Sequence, residues 1–164
     1  MSAGVLHRFS PRTIEFLDEL ADNNSKLWFE DNKPTYIEHV LQPAQALVLK
    51  LSDQMLAIDP CFETSPSIGK TISRIYRDTR FSNDKSPFRT NIWIVFKRPK
   101  KEWADAPAFF FELSPESYRY GMGFYSASKD TMDAFREMID NNPDEFAAAV
   151  SFYPELYLEE VKLA

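Results

Sequence analysis

The chain has 164 residues, of which 44% are hydrophobic, 27% charged and 15% aromatic, with a formal net charge of −6. That length suits one domain, 1–164, able to bury about two-thirds of its unfolded surface, and the balance lacks the low hydrophobicity of a disordered chain. The longest apolar runs are five residues against the roughly 20 a membrane span needs, one cysteine excludes an internal disulfide, and two histidines without CxxC or HExxH leave no zinc-site spacing. The N-terminal MSAGVLHRFS has no apolar leader, so a cytoplasmic protein without a membrane partner is expected.

In chain order, FSPRTIEFLDELADNN predicts a first helix: Ser10 suits the N-cap, Pro11 the first turn, Phe9 can staple to Ile14, and Ile14, Phe16, Leu17, Leu20 and Ala21 recur at helical spacing. Ser25 is placed to cap a short second helix carrying Leu27, Trp28 and Phe29. Pro34 is placed at the start of a third, which Pro43 must break or kink before the apolar stripe continues to Met55. Beyond a Pro- and Ser-rich loop over 59–70 the period changes, and β-branched and aromatic content predicts strands over 71–77, 91–98, 107–114 and 117–126. The last two read as a hairpin turning at Ser114-Pro115-Glu116-Ser117. Gly121 and Gly123 in its second strand read as a bulge in preference to close approach of a ligand. Ser128 then caps a helix with a buried stripe of Met132, Phe135, Arg136 and Ile139, and another helix follows over 144–150. The expected class is α+β, with N- and C-terminal helices packed on a mostly antiparallel sheet of about four strands.

Charge is the informative feature. Residues 70–101 hold ten Lys or Arg against Asp78 and Asp84, a segment of +8 in a chain of −6, so the remainder carries −14. A basic block in an acidic chain suggests an anionic partner; cations paired internally with the acidic helices are the structural alternative. Within the block, guanidinium forks, a lysine and hydroxyls have the chemistry of an oxyanion cradle, and Arg74, Tyr76, Arg77, Arg80, Ser82, Lys85 and Ser86 are the candidate ligand-binding residues. Strand alternation would put Arg74 and Tyr76 on one face and Ile75 and Arg77 on the other, so the two arginines would not share a pocket.

The stretch RIYRDTRFSNDKSPF, preceded by FLDELADNNSKLWFEDNKPTY and followed by GMGFY, resembles domain-of-unknown-function family 2461 over about residues 9–140. The resemblance implies a shared fold and a shared site around 74–90, without a reaction. Family members continue past the point corresponding to Val150, so a shortened C-terminal end is expected. Of the N-terminal motif residues Asn23, Asn24, Trp28, Phe29, Lys33 and Tyr36, the two rings after Asn24 are assigned to the core; Lys33 either faces water or completes an anion site.

Three functions are weighed. The first is a binding domain for a phosphorylated or other anionic small molecule. The second is single-stranded nucleic-acid binding, with Tyr76, Phe81, Phe88, Trp93 and Trp103 as stacking rings, against which the acidic total counts. The third is an enzyme on a phosphate- or carboxylate-bearing substrate, with Asp78 or Asp84 as general base or Mg²⁺ ligand. The first is preferred. No cofactor, resident metal or oligomeric state is assigned.

Overall fold

The computed structural model describes residues 7–80, 83–103 and 105–151. Two compact units divide the chain, Met1–Tyr125 and Ser126–Ala164.

In the first unit, α1 (Pro11–Asp22) opens with Ser10 extended at the N-cap, and its amide donates to Thr13 Oγ1 at 3.0 Å. Asn23 closes the helix, its side-chain amide donating to Glu19 O at 2.9 Å. α2 (Lys26–Tyr36) is capped by the Ser25 hydroxyl, which accepts from Trp28 N at 3.3 Å. Contrary to expectation, Pro34 lies inside α2 and starts no new helix. The disturbance due to Pro43 is relieved by widening: a π-helical turn, Ile37–Leu41, joins α2 to α3 (Gln42–Ile58).

The sheet is antiparallel in the order β1 (Ile92–Phe96), β2 (Pro107–Leu113), β3 (Tyr118–Phe124). The α+β class holds, with three strands among the described residues in place of about four. The segment over 71–77 forms isolated bridges because it changes partner midway. Val95 N donates to Thr71 O and Ser73 N to Trp93 O along β1; then Arg89 N donates to Ile75 O and Arg77 N to Pro87 O, around the bridge Tyr76↔Phe88.

Period 2 sorts the faces. Ile92, Ile94 and Phe96 oppose Leu113, Phe111 and Phe109, and this face meets α1, α2, the π-helical turn and α3 through Phe16, Leu17, Leu20, Phe29, Val40, Ala44 and Val48. Each buried Phe, Leu or Val among them contributes roughly 1.5–3 kcal/mol. On the opposite face Glu112, buried, accepts from Asn91 Nδ2 at 2.7 Å and from Arg119 Nε at 2.8 Å. The β2–β3 turn closes as expected, Ser114 N donating to Ser117 O at 2.9 Å. The predicted bulge is absent: pairing continues through Gly121 and Gly123, and the Phe110 ring lies 3.2 Å from where a Gly121 Cβ would stand. Close approach of that ring is what glycine permits.

In the second unit, α4 (Lys129–Asn141) is capped by Ser128 Oγ, which accepts from Thr131 N at 3.2 Å, and α5 (Pro143–Val150) follows. The expected buried stripe of α4 is not buried. Phe135 meets Phe146 edge-on at 6.4 Å, and Arg136 pairs with Asp133 at 2.9 Å. The segment over 152–164 lies outside the described residues. Among those described, no helix is long and apolar enough to cross a membrane, and no group of three or more His, Cys, Asp or Glu could hold a metal ion.

Candidate functional site

The site is built by the partner exchange of residues 71–90. Asn24, at the corner between α1 and α2, clamps the ribbon: its Nδ2 donates to Phe88 O and its Oδ1 accepts from Phe88 N, both at 3.0 Å. Phe88 is fully buried and stacks on Phe29 at 4.2 Å between centroids. Trp28 packs against Phe16 at 5.7 Å, so the two rings after Asn24 belong to the core as expected. Fixed from behind, the ribbon presents an open cleft of about 630 Å³ lined by four arginines, Arg74, Arg77, Arg80 and Arg89. Tyr76, Asp78, Thr79, Ser73 and Gly69 complete the wall. Gly69 has φ +82°, and a Cβ there would meet Arg74 Nε at 3.4 Å, so the guanidinium lies against a backbone position suited to glycine.

The arginines divide in two. Arg77 pairs with Asp84, and Arg80 pairs with Asp78, its Nε and Nη2 donating to Oδ1 at 3.0 Å and Oδ2 at 2.6 Å. Arg74 and Arg89 have no carboxylate partner among the described residues. The Nε atoms of Arg77 and Arg89 are closed to water and have no acceptor among the described residues. The Arg80 side chain holds the Asp78 carboxyl down to about 2, helped by the Arg80 amide. Asp84 is lowered first by the Ser86 hydroxyl, then by the Ser86 amide and the charge of Arg77.

Of the sequence candidates, Arg74, Tyr76, Arg77 and Arg80 line one cleft. The expectation that alternation separates Arg74 from Arg77 fails, because the segment is no regular strand. Lys85 Nζ donates to Thr79 O at 2.9 Å and Ser86 Oγ to Asp84 Oδ1 at 2.5 Å, so both engage neighbouring residues of the chain and neither lines the cleft. Ser82 and Phe81 lie outside the described residues. Arg89, counted among the cations but not among the candidates, enters through its pairing with Ile75; its place in the basic block and in the 74–90 stretch was its signal.

The other cations lie elsewhere. Lys70, Lys97, Arg98 and Lys100 line a separate cavity of about 290 Å³, where Arg98 Nε donates to Asp59 at 2.6 Å and Lys97 Nζ sits 4.2 Å over the Trp103 ring. The expected stacking rings are largely occupied: Phe88 is buried, Trp93 packs on Phe110 at 5.5 Å, and Trp103 stacks on Tyr125 at 4.6 Å.

A family model described as conserved hypothetical protein (DUF2461) matches residues 12–162. No curated protein and no solved structure matches the chain.

Proposed function

We propose, for a chain that belongs to the DUF2461 family over residues 12–162, that the arginine cleft binds a small ligand through a phosphate or carboxylate group. One observation carries the reading: Arg74 and Arg89 line the cleft without a carboxylate partner among the described residues, beside two arginines that have one. The unpaired Nε donors of Arg77 and Arg89 point the same way, because a shielded donor without an acceptor costs about 1–3 kcal/mol. A ligand oxyanion that draws these forks into the cleft recovers that cost, and planar guanidinium donors match phosphate and carboxylate oxygens two at a time.

Binding is favoured over acid–base catalysis because Asp78, held near 2, is ionised at neutral pH and a poor proton acceptor there. Nucleic-acid binding ranks lower, since few of the rings that would stack on bases are open.

The test is a thermal-shift and calorimetric titration with inorganic phosphate, pyrophosphate and citrate. At least one of them is expected to raise the melting temperature, by an amount that approaches about 2.7 kcal/mol of stabilisation at a hundredfold excess over Kd. Arg74→Ala and Arg89→Ala are each expected to weaken binding about tenfold or more, the scale of one lost charge-assisted pair. No shift with any of the three anions overturns the reading.

A further inference from the structure

Beside the arginine cleft lies a cavity of about 330 Å³ with a largely apolar wall: Phe29 and Tyr36 of α2, Ile37 and Leu41 of the π-helical turn, Ile68 and Ile75. That volume falls at the small end of ligand pockets. The cavity and the cleft are neighbours with a common wall, since Arg74 and Tyr76 line both. Lys33, left open between solvent and site by the sequence, stands at this cavity, half-exposed and paired with Glu30 at 3.2 Å.

Tyr36 supplies an independent sign. It is only 4% exposed, and its Oη is shielded from water without a hydrogen-bond partner among the described residues. A phenylalanine would fill the same core position without an unpaired hydroxyl, so packing alone does not account for the oxygen. Tyr36 also packs within reach of both Phe16 and Phe29, at 6.0 and 5.4 Å, which fixes its ring on the cavity wall.

We infer that the ligand is an organic anion joining a phosphate or carboxylate head to a compact apolar body, an aromatic ring above all. The head sits in the arginine cleft and the body fills the adjoining cavity against Tyr36. The inference rests on the oxyanion reading above and narrows it. An inorganic anion uses only the cleft; a tethered ring adds apolar burial at no second cost of association, because the first contact brings the second within reach. A ring substituent that accepts a hydrogen bond would also engage Tyr36 Oη.

The test compares inorganic phosphate with phenyl phosphate by calorimetry on the whole chain. Phenyl phosphate is expected to bind about tenfold tighter, the return on burying one ring. Ile68→Trp places an indole at a wall position that is 45% exposed, and Ile37→Trp does so at one that is 39% exposed. Either variant is expected to abolish the preference for phenyl phosphate while leaving inorganic phosphate binding unchanged. Equal affinity of the wild type for the two probes overturns the inference and leaves the oxyanion reading standing. So does a preference that survives in both folded tryptophan variants. If neither probe binds, the oxyanion reading itself falls, and the inference falls with it.

Discussion

Pro43 has no amide hydrogen, so the carbonyl of His39, four residues earlier, loses its ordinary helical donor. The backbone widens into the turn Ile37–Leu41, and Thr13, fully buried on α1, donates its hydroxyl to His39 O at 2.6 Å. The same Oγ1 accepts the Ser10 amide at the start of α1. One hydroxyl therefore caps the start of one helix and ties it to the irregular turn of another. Thr13→Val keeps the side-chain shape and removes both hydrogen bonds. It is expected to destabilise the chain by about 1–3 kcal/mol, the cost of leaving buried polar groups unpaired, whereas Thr13→Ser retains most of the stability. Urea unfolding with an unchanged slope measures this. A valine variant as stable as wild type would show that the hydroxyl contributes nothing.

At the scale of elements, the ribbon over 75–77 and 87–89 decides whether four arginines share a cleft. Its anchor is the Asn24 amide, which gives and takes one hydrogen bond with Phe88 across 64 positions of chain. Asn24→Ala removes both bonds and is expected to cost about 1–3 kcal/mol, with a matching fall in phosphate affinity. Asn24→Asp can still accept from Phe88 N but cannot donate to Phe88 O, so its effect should be intermediate. Loss of stability in Asn24→Ala with phosphate affinity intact would show that the clamp does not position the arginines. Much of this region was legible in the sequence: α1 and its end at Asn23, the β2–β3 turn, and the basic block itself follow from periodicity, caps and composition. What escaped depends on contacts between distant residues. Nothing near Asn24 names Phe88 as its partner, and nothing in residues 71–77 tells that the segment leaves β1 after Ser73 and so turns both Arg74 and Arg77 into one cleft. Gly121 escaped for the same reason, because its role lies in the Phe110 ring of the neighbouring strand.

For the whole molecule, the +8 of residues 70–101 does not form one patch. It divides between the arginine cleft, whose pairs with Asp78 and Asp84 lie within the block itself, and the cavity of Lys70, Lys97, Arg98 and Lys100, where Asp59 and Glu63 of the acidic remainder pair with Arg98 and Lys70. All three aspartates are lowered: Asp59 mainly by the Arg98 hydrogen bond, Asp78 to about 2 by Arg80, and Asp84 first by Ser86. A carboxyl whose folded pKa lies below its unfolded value, about 3.9 for Asp, binds fewer protons in the folded chain. Its contribution is therefore complete above about pH 4 and is lost as the pH falls through the folded value toward 2. The melting temperature is expected to decline over that interval, and Asp78→Asn, which removes the most strongly shifted of the three, should flatten part of the decline. All three aspartates are reached by solvent, so 0.5 M NaCl should also make the decline shallower, since roughly a 4–5 Å screening length weakens each pair before protonation does. Calorimetric melts from pH 6 to pH 2, at low and high salt, measure both effects. A decline of the same steepness in Asp78→Asn and wild type would mean that the Arg80–Asp78 pair is no part of what holds the cleft together.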